Sequence, residues 1–287
     1  MTNNIIGEKI KNYIMEMPSL SVSVGKALQI CGNPDVNPID LNHVISLDPV
    51  LTGKLIKLIN SAYYGLSTHV TSLVRAITML GLNTVKNLVL SAAALSTLPK
   101  NKIIDGLNME GFWHHSLCVA VTSKLLAAKQ GIESRYLEEY FSAGLLHDIG
   151  KIPLNAVLAA DYIQMVTTAD REHKPLYMIE NEIAEFNHCS AGEMIAHLWK
   201  LDDSIKDAIL HHHKPCEYSG CSSNVVSTVA AANYFSLVYE VGFAGDRKPE
   251  KPDQKIWDSL GVKEDFFLEI MEKLYIEIEK ARIFLQN

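Results

Sequence analysis

Apolar residues recur along this chain at intervals of three and four. Ile10, Tyr13 and Ile14 do so near the start, Leu55, Ile56 and Ile59 in LTGKLIKLIN, and Leu73, Ile77 and Leu80 in TSLVRAITML. Such spacing stacks them on one face of a 3.6-residue helix. No run alternates apolar and polar residues between hairpin turns, the pattern of a half-buried strand. Punctuation supports helices too: Asp40 and Asp48-Pro49 are read as helix starts, the second with proline at the first helical position, where no N–H is lost. Gly65, Gly81 and Gly150 are read as helix ends and Asn83 as the cap of the following helix. The pattern predicts an all-α protein of a dozen or more helices.

Two breaks divide the pattern. LPKNKIIDGLN (98–108) interrupts two long helices, and KPCEYSGCSSN (214–224) separates a histidine run from another apolar helix. Three parts are therefore expected: a helical bundle over 1–105, a histidine-bearing core over 106–242, and a loop and C-terminal helix over 243–287. Within the last part, GDRKPEKPDQK (245–255) reads as a solvated loop and 263–285 as the helix. No internal repeat or low-complexity tract is visible.

Composition narrows the class. With 48% hydrophobic and 21% charged residues, 287 residues suit one or two packed cores, not a disordered chain. A net charge of -7, from 26 Lys plus Arg and 33 Asp plus Glu, gives no broad footprint for nucleic acid or an anionic membrane. The apolar run LVLSAAALSTL (88–98) is far shorter than the roughly 20 residues that span a bilayer. The first 30 residues lack a basic start followed by an apolar block, so no secretory signal is read and a cytoplasmic location is expected. Cys31, Cys118, Cys189, Cys216 and Cys221 are odd in number and scattered, which suits free thiols. The spacing of Cys216 and Cys221 beside the histidine run is weak as a zinc motif, and incidental or structural roles are expected for them.

The candidate chemistry lies in the middle third. His114-His115, His147-Asp148, His188 and His211-His212-His213 interrupt otherwise apolar helical segments. Imidazole is a common transition-metal ligand, and an adjacent carboxylate supplies the charge a dication needs. The His147-Asp148 pair falls in the last turn of a helix starting near Tyr136, where unpaired carbonyls already favour a cation. Gly150 is expected to turn the chain and bring Lys151 to the same mouth, within reach of a phosphate. Adjacent helical residues point about 100° apart and cannot all face one ion, so His114, His197 and His211 are assigned to the surface or periphery. The residues alone leave both a metal site and ordinary buried histidines open.

Four stretches, FWHHSL, AGLLHDIGK, FNHCSAGEMIAHLWKL and AILHHHKP, together resemble the HDOD family, a branch of the HD-domain metal-dependent phosphohydrolase superfamily. LDPVLTGKLIKLINSAYYGLSTHVTSLVRAITMLGLNTVKNLVLS (47–91) resembles that family's most recognisable stretch, and the likeness runs from about Pro18 to Pro215. It implies an N-terminal helical bundle packed on a helical HD-like core. It maps the superfamily's first ligand histidine onto His115 and the defining doublet onto His147 and Asp148. It also matches His188, His212 and His213 to the additional histidines of binuclear branches, including cyclic-di-GMP phosphodiesterases.

Two departures weigh against catalysis. Active HD enzymes close the site with an aspartate in an Ala-Asp-Tyr-like context, and AAANYFS places Asn233 there, a neutral carbonyl oxygen in place of an anionic ligand. The Gly-Tyr-Pro signature of the cyclic-di-GMP branch is missing from HHHKPCEYSG. Five neutral histidines and one aspartate would carry only -1, so one transition-metal ion (iron, zinc, nickel or manganese) is expected, not two. The resemblance therefore implies a bacterial signalling module, non-enzymatic, that binds a protein partner or nucleotide. With no receiver, kinase or cyclase segment in the sequence, its input is expected in trans. The alternative is a metal-dependent phosphohydrolase, a phosphodiesterase or nucleotidase. There His115, His147, Asp148 and His188 hold the ion, and Lys151 or a helix amino terminus steadies the phosphate. Asp148 and Lys151 are the catalytic candidates in that reading.

Overall fold

The computed structural model describes residues 2–31, 36–98, 103–104, 107–263 and 265–286. Among them are sixteen α-helices, three 3-10 turns and one two-residue hairpin, Ile103–Ile104 with Leu107–Asn108. The protein is all-α. The break at 105/106 lies outside the described residues, as does much of the 98–108 connector.

The first part comprises α1 (Thr2–Glu16), α2 (Val22–Cys31), α3 (Pro38–Ser46), α4 (Pro49–Ile59), α5 (Leu73–Leu80) and α6 (Leu82–Thr97). The Asp48-Pro49 start is confirmed: the Asp48 carboxylate accepts from the Leu51 N–H at 3.0 Å. Asp40 instead lies inside the first turn of α3, because Asn37 is the better cap, accepting from Ile39 N–H at 2.9 Å with Pro38 next in line. Gly81, at φ 86°, ends α5 and immediately begins α6, so Asn83 is already helical and caps nothing. Its side chain donates to the Arg135 carbonyl instead. Gly65 does adopt positive φ, but in a turn beyond the end of α4 at Ile59.

The second part is built on α7 (Met109–Lys129), α8 (Leu137–Leu146) and α14 (Ser223–Val238). Both α7 and α14 bury residues on every face, as central helices must. Around them stand α9 (Lys151–Leu158), α10 (Ala160–Glu172), α11 (Leu176–Ala184), α12 (His188–Leu198) and α13 (Asp203–His211). Helix α6 packs along α8, and α1 packs on α9, α11 and α12, so one continuous apolar core runs from Ile10 to Phe284.

The C-terminal part departs from expectation in two ways. It contains an additional helix, α15 (Gln254–Leu260), before α16 (Phe266–Ala281) and a final 3-10 turn, Arg282–Leu285. The 245–255 segment is not simply solvated, for Asp246 is buried and accepts from the N–H groups of Leu176 and Lys248. Gly242 (φ 72°) presses the chain onto α7, where a Cβ would meet His115 N at 2.2 Å. The loop thus forms part of the core's wall. Among the described residues no single helix is long and apolar enough to cross a membrane.

Candidate metal centre

Four elements deliver the histidines. Helix α7 carries His115, the turn after α8 carries His147 and Asp148, α12 begins with His188, and α13 ends into His212 and His213. The doublet lies just beyond α8, with His147 as its C-cap. Gly150 does not turn the chain by a left-handed conformation: its φ of -67° is helical. It is glycine because α12 sits directly on it, and a Cβ there would lie 1.9 Å from the His188 carbonyl oxygen. That close approach seats His188 beside Asp148.

Asp148 is the focus. Its Oδ2 lies 3.3 Å from His147 Nε2 and 3.7 Å from His115 Nε2, and its Oδ1 lies 3.4 Å from His188 Nε2 and 3.6 Å from His212 Nε2. The opposite ring nitrogens fix the tautomers. His147 Nδ1 donates to the Gly144 carbonyl at 2.7 Å and His212 Nδ1 to the Ile209 carbonyl at 2.9 Å. Ser236 Oγ donates its proton to the Val241 carbonyl, so it accepts from His115 Nδ1 at 3.1 Å. The Nε2 atoms of His115, His147 and His212 are therefore lone pairs, and all three are buried without a partner, as are Asp148 Oδ1 and Asn233 Oδ1. Lone pairs converging on a carboxylate in a dry interior repel one another, and a cation between them reverses the sign. Orientation of ligand imidazoles by carbonyls and carboxylates is the usual support of a metal site. Nitrogen donors with one carboxylate suit a transition metal better than magnesium or calcium.

Electrostatics agree. Burial pushes the His115 pKa down to about 3 and that of His212 to about 4, so both rings are neutral and able to ligate. Burial alone would raise the Asp148 carboxyl, but the Lys151 ammonium paired with it outweighs burial and holds it well below the usual range. For His188 burial is likewise opposed, by the Glu180 carboxylate, which accepts from Nδ1 at 2.6 Å; the pKa rises to about 10. A metal at Nε2 would replace that proton.

Lys151 lies elsewhere than expected. It is 2% exposed, with Nζ 2.7 Å from Asp148 Oδ2, an internal ion pair and not a group at an open mouth. Asn233, on α14, lies against His115. His213 is half-buried, its Nε2 3.1 Å from that of His188 and its ring stacked on Tyr177. His114, His197 and His211 stand outside the cluster; His197 is exposed and His211 packs on Tyr218. Cys216 and Cys221 are exposed free thiols. A cavity of about 350 Å³ opens beside the centre, lined by His212, His213 and Asn233 and by both signs of charge, Asp246 and Glu250 with Lys214, Lys248 and Lys251.

Sequence reasoning missed Glu180 and Ser236. Glu180 is fully buried, accepting from Tyr162 Oη, His188 N and His188 Nδ1. A signal existed, for it falls four residues after Leu176 on the apolar face of α11. Ser236 is likewise inside an apolar helix, three residues after Asn233.

The HDOD domain model matches residues 17–215. The chain belongs to the HDOD family. All six His and Asp ligand candidates lie within that match, whereas Asn233 and the loop over the cavity lie beyond it. An HDOD-domain protein of unknown function from Geobacter sulfurreducens is 26% identical, with a TM-score of 0.74 over 96% of each chain. A chain from Shewanella amazonensis SB2B whose name proposes a phosphohydrolase shares the HDOD fold at 21% identity, with a TM-score of 0.72 over 96% of this chain and 98% of that one. An uncharacterised protein of Treponema pallidum (strain Nichols) is 25% identical over 226 residues, 77% of this chain. The HDOD chain spans 41% of that relative's length.

Proposed function

We propose that this HDOD chain is a regulatory module that holds one transition-metal ion (iron, zinc, nickel or manganese) at His115, His147, Asp148 and one or more of His188, His212 and His213. In this reading it signals by binding a protein partner or nucleotide, not by hydrolysis. The observation that carries the second half is the state of Lys151. The lysine beside the doublet, the candidate to steady a phosphate, is sequestered on Asp148 in a buried ion pair, while the adjoining cavity carries mixed charge, Lys214, Lys248 and Lys251 beside Glu217, Asp246, Glu250 and Asp253. Asn233 further lowers the anionic charge that would retain the metal. Five free cysteines fit a reducing compartment, and we assign the chain to the cytoplasm.

The orphaned Nε2 atoms favour the rival hydrolase reading as far as metal binding, so turnover is what separates the two. Metal-replete protein should retain about one equivalent per chain, lost in His147→Ala/Asp148→Ala. It should hydrolyse neither nucleoside monophosphates nor cyclic dinucleotides nor a generic phosphodiester above that variant's background. Asn233→Asp should tighten metal retention. Less than about a tenth of an equivalent in the wild type would mark the centre as vestigial, and metal-dependent turnover abolished by His147→Ala would establish the hydrolase.

A further inference from the structure

Helix α16 exposes four large apolar side chains, Leu268, Met271, Tyr275 and Ile276, more than any other described helix. Leu268, Met271 and Tyr275 fall at i, i+3 and i+7 and so share a face. Beside them lies an apolar cleft of about 230 Å³, walled by Met271, Leu274, Tyr275 and Ile278 of α16 and by Phe235 and Val241 at and beyond the end of α14. It continues past His114, Glu279 and Arg282, which line both spaces, into a second cleft of about 500 Å³ reaching Glu110 on α7. The two make one groove between α16, α14 and α7, separate from the metal centre. Its walls on α14 and α16 lie beyond the matched HDOD domain.

The rim of the groove is acidic. Glu272 and Glu279 continue the stripe of Leu268 and Tyr275 along the solvent edge of α16, Glu240 adjoins Val241, and Glu110 lines the far end; all four carboxylates are exposed. Among the described residues lining the groove Arg282 is the only lysine or arginine, and it is already paired with Glu279 at 3.1 Å. Such a rim repels the identical face of a second copy, an anionic membrane and the phosphates of a nucleotide. An apolar floor between carboxylates complements a cationic amphipathic helix. We propose that this groove docks a basic amphipathic helix of a partner protein, its apolar stripe on Met271 and Tyr275 and its lysines or arginines against Glu240, Glu272 and Glu279. From Leu268 to Arg282 the groove face runs about 21 Å, at about 1.5 Å per residue, which accommodates a partner helix of about 14 residues. The proposal rests on the partner-binding half of the reading above, not on the metal.

Fluorescence anisotropy of the full chain with two labelled model helices of that length tests this. Both peptides carry leucine at i, i+3, i+4 and i+7, one with lysine and the other with glutamate at the remaining positions. The lysine peptide should bind at least about tenfold more tightly than the glutamate peptide. Tyr275→Ala and Met271→Ala, at exposed positions that leave the core intact, should each weaken it about tenfold, and Glu272→Lys/Glu279→Lys should reverse the preference. Ile39→Ala, equally exposed but on α3, should change nothing. No binding, equal binding of the two peptides, or binding that survives every groove substitution would overturn the proposal. A wild-type dimer in sedimentation that Tyr275→Ala dissociates would overturn it in favour of a second copy. Chelator-stripped protein should bind the lysine peptide as the metal-loaded protein does, so a failure here leaves the metal centre to be judged by its own retention and turnover.

Discussion

Replacing Gly150 with alanine should damage the protein although the backbone there tolerates alanine well. At φ -67° and ψ -16° the residue is helical, so on conformational entropy alone the substitution would stabilise by about 0.4–1 kcal/mol. Packing reverses the sign. The new Cβ would lie 1.9 Å from His188 O and 2.5 Å from Gly192 N, both backbone atoms of α12. Ordinary carbon–oxygen contacts begin near about 3.3 Å, so α12 must retreat by roughly 1.4 Å. It cannot do so freely, because His188 is bonded to Glu180 through both its backbone N, at 2.9 Å, and its Nδ1, at 2.6 Å. Overpacking costs about 1–3 kcal/mol and a weakened charge-assisted bond about 1.5–3 more, giving a net loss on the order of 3 kcal/mol or above. Urea unfolding followed by circular dichroism measures it, with Gly53→Ala as the opposite-signed control. Gly53 lies exposed within α4 with nothing within 4 Å of a new Cβ, so alanine there should gain about 0.5–1 kcal/mol. A Gly150→Ala protein that unfolds at the wild-type midpoint with unchanged metal affinity would refute the role given to this contact.

Further outcomes follow from the same geometry. Glu180→Gln should leave the fold intact, since an amide can still accept from His188, but should weaken metal binding about 10–100-fold by isothermal titration. An unchanged affinity would show that Glu180 only packs. In chelator-stripped protein His115 and His212 have folded pKa values of about 3 and 4 against 6.5 unfolded, so the unfolded chain binds more protons below pH 6.5. Their stability contribution is complete above 6.5 and lost as pH falls through the folded values. His188, raised to about 10, acts in the opposite sense, its contribution complete below 6.5 and lost as pH rises toward 10. A thermal midpoint that peaks near neutrality and falls on both sides is expected, and a flat profile from pH 4 to 6.5 would contradict the burial argument. Residues 106–287 expressed alone should aggregate, because they leave the faces of α8, α9 and α12 that α6 and α1 cover bare; near-ultraviolet dichroism of a soluble, native-like fragment would refute this.

The all-α class was legible because apolar periodicity is a local property. Cap chemistry was legible where one candidate stood alone, as at Asp48-Pro49. It misled where two competed. Asn37 displaced Asp40 because it precedes a proline, and the helix of Asn83 had already begun at Gly81, whose permissive backbone joins two helices without a linker. The 245–255 segment read as solvated because its composition is polar. Its burial depends on Asp246 meeting the start of α11, a contact between residues 70 positions apart.

For the site, the sequence by itself determined the ligand types, and the family resemblance determined which of eleven histidines to choose. Chemical identity and order along the chain carry that much. Only the tertiary structure decided direction: which nitrogen of each ring is engaged by a carbonyl, which is left as a lone pair, and that these converge on both oxygens of Asp148. It alone turned Lys151 inward onto Asp148. Those outcomes depend on how closely α12 approaches Gly150, a distance set by packing between helices remote in sequence, which no local pattern encodes.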